Sequence, residues 1–497
     1  MDIAVNSLTH SISASSLPVP ASSPIPPDVS QESAAEASGD SVSLGGQPQT
    51  PEAEDTAMLA KRIVGQYGKT DKILVLKGSD GDDQINISQR KDGGLDVSIN
   101  GETQSLSAEQ SAQLIIDGGK GNDTIIADES VTARLFLTGG QGDDYIVGGA
   151  GNDFIIDSYG RNTIKGQAGD DAIISSGLDL TLDQTPGDRG SSSALAGGIL
   201  LGGEGHDYIE GSNSGDYIDG GEGNNVIYGL GGDDNIYAGS GRNYLDGGRG
   251  DDTIANSGAL GMLFGGQGND TITSAQRAAL IVDGYGQNSV SAPQGADKAY
   301  QSADTAWSGS QAGEHLISSP SSLPENFSIA GSAAFKARVQ SDLDTLQQIG
   351  LGQKMLGEIA KTGYSVTIKE TANNGNSCNS SKDGHLRDDK TPGPGTSSTI
   401  AYNRAGMKID RKNVDWAERP PLVGLFHEMA HSYNAATGTM DYGAYRYDGT
   451  AAPDRRGLVG AEYQAVGIEH PLIQGNPDGL NENGMRRFLG IAERTRY

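Results

Sequence analysis

Cysteine is almost missing from these 497 residues. Cys378 stands alone, which excludes an internal disulfide and any metal site built on paired thiolates. Aromatic residues are scarce, at 5%, while glycine is abundant, at 74 residues. That is the composition of a chain with many tight turns rather than of an ordinary globular domain. No apolar run approaches the length of a transmembrane helix. Basic residues are too few to balance the acids, and the net charge of −29 repels nucleic-acid phosphates and suits cations. No Lys or Arg precedes Lys61, so the basic start of a cleaved secretory signal is absent, as is its apolar core. Residues 1–65, rich in Ser, Pro and Ala, are expected to be a disordered leader for export, open to an export chaperone.

What the chain has instead is a nine-residue repeat. Six tandem copies run from GGEGHDYIE at Gly202 to GGRGDDTIA at Gly247, and GGQGNDTIT at Gly265 returns in register. A shorter block starts with GGQGDDYIV at Gly139, and isolated copies begin at Gly78 and Gly118. Glycine permits the left-handed backbone of a tight turn. The eighth position is nearly always aliphatic, as at Ile209, Ile218, Ile227, Ile236, Ile254 and Ile272. Stacked coils of two nonapeptides each would bury those side chains in one core, giving a parallel β-roll over residues 66–291.

Sorting the sixth position by side separates Asp216, Asp234, Asp252 and Asp270, followed by Asn288, from Asp207, Asn225 and Asn243. In the shorter block Asp153 and Asp171 are expected to face the same way, against Asp144 and Asn162. The pattern resembles the hemolysin-type (RTX) calcium-binding repeat, GGxGxDxUx, in which the sixth-position Asp and nearby carbonyls bind calcium. The resemblance implies calcium on Asp153, Asp171, Asp216, Asp234, Asp252 and Asp270, because calcium prefers charged carboxylates to neutral amides. The Asn side is expected to be mostly metal-free.

Residues 292–330, rich in Ser, Ala, Pro and Gly, read as a linker. An α+β domain is expected over 331–497. Phe335, Val339, Leu343, Leu346 and Ile349 share one helical face, and Tyr364, Val366 and Ile368 alternate as a strand. The stretch 372–397 reads as a loop, and Ile400 and Tyr402 as a second strand. Then comes PLVGLFHEMAHSYN. On a helix His427 and His431 lie on one face and can aim at one ion, with Glu428 beside them to act on a bound water. This HExxH spacing predicts zinc on the two histidines and Glu428 as general base. A third protein ligand is needed. The candidates are Glu462 in AEYQAVGIEHP, Asp441 and His470. Glu462 is favoured over Asp441 because a helix positions a ligand more rigidly than a loop. Tyr433, Tyr442, Tyr445 and Tyr463 are candidates to stabilise an oxyanion.

HEMAHSYNAATG, AEYQAVGIEHP and the terminal NENGMRRFLGIAERTRY together resemble the NleD-like effector zinc metallopeptidases of bacterial type III secretion. The resemblance implies zinc on His427, His431 and Glu462 and catalysis by Glu428; tail residues Glu482, Asn483, Arg486, Arg494 and Tyr497 match the family's tail without an assigned role, and the default expectation is that they brace the catalytic helix. It further implies a secreted protein delivered into a host cell, with a host protein as substrate. The expected architecture is therefore multidomain: a β-roll, or solenoid, followed by a zincin-type metallopeptidase domain. The rival expectation is a calcium-binding, adhesin-like repeat protein whose zincin domain is inactive.

Overall fold

Side chains at every second position of a strand face the same way, and that alternation builds the repeat region of the computed structural model. The model describes residues 73–157, 159–175, 197–276, 278–301, 305–309, 313–315, 323–371, 376–387, 389–403, 421–442, 444–445, 458–467, 475–476, 479–489 and 493. It also describes the strands Asp2–Leu8 and Ser41–Ser43 and residues 55–56, 59–60 and 63. Successive nonapeptides alternate between two sheets, one of 14 strands and one of 13, whose neighbours along the repeats pair in parallel. Ile218, Ile236, Ile254 and Ile272 of the second sheet meet Ile209, Ile227, Leu245 and Leu263 of the first in a continuous buried core. Turns close tightly because glycine accepts positive φ, as at Gly248 with φ 101° and Gly250 with φ 131°.

The outer faces differ. In the 13-stranded sheet they are wet, as in Asn235–Ala238, where only alternate residues are buried. In the 14-stranded sheet they are apolar, as in Val226–Gly231, buried throughout. Strands covered on both faces read as near-continuous apolar runs. The covering layer is the C-terminal domain. Tyr208, Tyr228, Tyr244 and Phe264 share one buried cluster with Phe335, Val339, Leu343 and Leu346 of helix α1, Ala333–Gln348.

The span 292–330, expected as a linker, carries strands Ala296–Gln301, Ala306–Gly309 and Gly313–His315, which extend both sheets of the roll. It also carries Phe327–Ala330, which opens the sheet of the next domain. These strands lack the GGxGxD turn, so the repeat signature stops before the roll does. Of the expected leader, Asp2–Leu8 pairs in parallel with Ile73–Lys77, and Leu59, Ala60 and Ile63 are buried in the core. Ser41–Ser43 pairs antiparallel with the start of Asp2–Leu8, and apart from these residues and 55–56 the rest of 1–65 lies outside the described residues.

The C-terminal sheet runs Phe327–Ala330, Val366–Glu370, Ser398–Tyr402 in parallel, then Ser377–Ser380 antiparallel at the edge. Ser377–Ser380 falls in the stretch expected as a loop. Its sequence, SCNS, has no apolar alternation, because an edge strand facing water needs none. Helix α2, Gly350–Lys361, packs on α1 and on α3, Pro421–Thr437. Proline suits the first turn of α3, and Gly438, with φ 71°, follows its last residue. Two short helices, α4 at Gly460–Val466 and α5 at Glu482–Leu489, also lie against α3.

Candidate metal centre

Helix α3 is buried along nearly its whole length, histidines included. Spacing of four residues brings the rings of His427 and His431 to 4.9 Å between centroids, nearly perpendicular at 81°. Glu462, in the first turn of α4, spans both: His427 Nε2 lies 3.4 Å from one carboxylate oxygen, and His431 Nε2 lies 3.5 Å from the other. The three ligand atoms fall within 4.8 Å of one another. Two imidazoles and one carboxylate converging from two helices form a donor set suited to zinc.

Behind the cluster lies a carboxylate whose contact the sequence did not specify. Glu482, fully buried at the start of α5, pairs with His427 Nδ1 at 3.0 Å. Arg486, one turn on, donates from Nε to the other oxygen of Glu482 at 2.7 Å. A carboxylate on the far ring nitrogen fixes the tautomer that leaves Nε2 free to ligate. Burial pulls the pKa of His427 down, but its bonds to Glu462 and Glu482 outweigh that and raise it to about 9. Burial pushes Glu462 up, yet the two histidines carry it well below the usual carboxylate range.

Glu428 is 5% exposed, and its charge bears on His427 and on Cys378 of the edge strand. Burial takes the Cys378 thiol up to about 12, which favours the protonated form. Asp441 lies apart from the cluster. It is buried, and both its oxygens meet Lys390 Nζ at 3.2 Å. His470, Arg494 and Tyr497 lie outside the described residues, as does the side chain of Tyr445. Tyr433 packs against the core and Tyr463 is buried. Tyr442 is half-exposed, with its pKa raised by burial and then by the charges of Cys378 and Glu462. His385 stacks on it at 4.0 Å. Nothing in the sequence marked His385, which sits in an aperiodic stretch.

The repeat turns follow one rule. From Asp123 onward each sixth-position carboxylate or amide accepts, through Oδ1, the backbone N–H of the equivalent residue one coil earlier. Examples are Asp234 from Asp216 at 2.7 Å and Asn243 from Asn225 at 2.9 Å. Where Asn stands, its Nδ2 satisfies a local carbonyl: Asn225 donates to Gly220 at 3.0 Å and Asn288 to Asp283 at 2.9 Å. Where Asp stands, Oδ2 occupies that place. In Asp171, Asp234, Asp252 and Asp270 it is buried without a hydrogen-bond partner, close to the spot where a Cβ on the turn glycine would fall. A buried oxygen beside carbonyls calls for a cation or a proton, so these turns fit calcium. In Asp153 and Asp216 Oδ2 is already bonded, to the N–H groups of Gly149 and Ser212.

The ladders also correct the expected grouping. Asp153 leads to Asp171, then Asp207, Asn225 and Asn243, all preceding strands of the 14-stranded sheet. Asp216, Asp234, Asp252 and Asp270 precede strands of the other sheet. The Asp side of the short block therefore continues into the Asn side of the long block. Parity explains it: 36 residues, an even number of nonapeptides, separate Asp171 from Asp207, and nine more reach Asp216.

Fold and site together define an α+β domain with a candidate metal centre, seated on a calcium-repeat type of roll. Residues 324–497 match the Peptidase_M91 family, described as an effector protein. Residues 115–130, 136–155, 147–177, 198–227, 219–254 and 262–275 match the RTX calcium-binding nonapeptide repeat. No curated protein and no solved structure matches the chain.

Proposed function

We propose that the C-terminal domain is a zinc metalloendopeptidase of a secreted effector, acting on host proteins, with the roll as its calcium-binding scaffold. The convergence of His427, His431 and Glu462 within 4.8 Å carries this reading. Zinc, if held by His427, His431 and Glu462, would supply Lewis-acid chemistry toward a water and the scissile carbonyl. Glu428 accepts a proton from the attacking water and returns it to the leaving amine. Glu482 keeps the His427 ring turned toward the site. Among the candidate tyrosines whose side chains are described, Tyr442 is half-exposed and within electrostatic reach of Glu462, which suits it to meet developing negative charge. The edge strand Ser377–Ser380 offers its free side to an extended substrate backbone. A translocation route of the type III kind accords with the effector family matched by the domain.

The test combines metal analysis of the purified full chain with a comparison of newly generated protein termini in cells expressing wild type or Glu428→Gln. Stoichiometric zinc in both proteins, with cleavage by wild type alone, is the expected result. Zinc at no more than trace level after reconstitution overturns the reading. Metal without cleavage favours the rival, a repeat protein with an inactive zincin domain.

A further inference from the structure

One coil of the roll departs from its neighbours at the residue that opens the nonapeptide. The first residue of the nonapeptide is glycine at Gly139, Gly148 and Gly166, but Asp157 takes that place in DSYGRNTIK. Asp157 is fully buried and Asp144 is 2% exposed. One oxygen of each is fixed. Asp144 Oδ1 accepts from the backbone N–H of Asp123 at 2.6 Å, and Asp157 Oδ1 from that of Gly140 at 3.3 Å. The other oxygen of each meets no donor group and faces the opposite carboxyl instead. Both converge on the point where Gly139 would carry a Cβ, which would collide with Oδ2 of Asp144 and Oδ2 of Asp157 alike.

Two carboxylates pressed together away from water repel each other unless a cation or a proton lies between them. Burial takes Asp144 up to about 6. Asp157 is pushed well above the usual carboxylate range, by burial first and then by the charges of Asp144, Asp55 and Asp117. The arrangement differs from the rest of the roll. Asp234 and Asp252 each place a single Oδ2 near a glycine carbonyl, of Gly247 and Gly265 respectively. Asp283 also opens a nonapeptide, but its carboxylate accepts from the Thr305 hydroxyl.

We propose that Asp144 and Asp157 together hold one divalent cation, and hold it more tightly than any single-aspartate turn of the roll. Calcium affinity rises with the charge count and rigidity of the site. This turn supplies two anions, each anchored through its second oxygen. Calcium is the cation of choice, because magnesium keeps several waters and the pair is buried. The consequence is graded loading: this turn fills at calcium levels that leave the others empty. The inference concerns the roll alone and stands independently of the peptidase reading.

Calcium bound by the full chain, stripped with EGTA and then titrated in chelator-buffered solutions, is counted by equilibrium dialysis. One equivalent is expected to bind about 100-fold more tightly than the rest. Asp157→Gly, which restores the residue of neighbouring repeats, should remove that equivalent and keep the weaker ones. The near-isosteric Asp157→Asn should do the same. Absence of a tight equivalent in wild type overturns the proposal, as does a tight equivalent that survives both substitutions. So does a calcium-silent pair that takes up one proton in wild type and none in Asp157→Asn, since a shared proton then does the cation's work.

Discussion

Glu482 grips the far side of the His427 ring, with its carboxylate 3.0 Å from Nδ1. The grip holds because Arg486 bonds the second oxygen at 2.7 Å from one turn along the same helix. This short relay ties the C-terminal helix to the HExxH helix. Removing the carboxylate should free the ring to rotate and to change tautomer. Glu482→Gln is expected to weaken zinc binding by about 10–100-fold, read by competition with a chromophoric chelator. The far-ultraviolet spectrum should stay unchanged. Arg486→Ala should move affinity in the same direction by less, because Glu482 still faces His427.

Glu462 and Asp441 make a paired test of the third ligand. Glu462 shares its two oxygens between the histidines, whereas Asp441 is taken by Lys390. Glu462→Ala is expected to lose stoichiometric zinc after dialysis. Asp441→Asn should keep the metal and shift the melting temperature only modestly, since the Lys390 ammonium is half-exposed and water can take over its solvation. The opposite pattern in elemental analysis would move the third ligand to Asp441.

The roll and the peptidase domain are joined by a buried polar network centred on Arg338. Its guanidinium lies 3.3 Å over the Tyr228 ring, and its Nε donates to Tyr208 Oη at 3.1 Å. The same side chain pairs with Asp342 at 2.6 Å and approaches Glu210 of the roll at 3.7 Å. Tyr402 then donates to Asp342 at 3.1 Å and lies 3.1 Å from the carbonyl of Pro421, where the HExxH helix starts. Arg338→Met would strip the cation from two fully buried carboxylates, a loss costing about 3–5 kcal/mol. Denaturant titration should show one transition for the wild-type roll and peptidase domain. The variant should show an earlier transition for the peptidase domain.

Much of this was written in local periodicity. The isoleucines at the eighth position announced the roll core, and the i, i+4 histidines announced the pair of rings that α3 turns toward Glu462. Glu462 was legible because it too sits on a helix. Other features depend on long-range contact and left no local mark. Glu482 is 55 residues from His427, and no spacing rule links them. The docking face was half-visible: Val226 and Phe264 put apolar residues where the outward positions of the other sheet carry Asn235 and Thr253. The switch of side between Asp171 and Asp216 needed only the count of nonapeptides through residues that no longer carry the motif. The edge strand Ser377–Ser380 was hidden because a polar strand at a sheet edge looks like a loop.

The single-aspartate turns give the metal-free protein an inverted pH profile. Burial raises Asp252 to about 8 and Asp123, Asp207 and Asp270 to about 7, whereas an unfolded aspartate titrates near 3.9. Between roughly pH 4 and pH 8 the folded roll therefore binds more protons than the unfolded chain, and stability falls as pH rises. The contribution is complete below the unfolded pKa and is lost as pH climbs through the folded values of about 7 to 8. In EGTA, melting followed by circular dichroism at the β-sheet minimum should give a higher midpoint at pH 5 than at pH 8. Calcium should reverse the slope, because it competes with the proton for the same buried oxygens and binds only the ionised form. An EGTA midpoint that rises steadily from pH 5 to pH 8 would show that these carboxylates are already solvated or paired, and the turns would need neither proton nor metal.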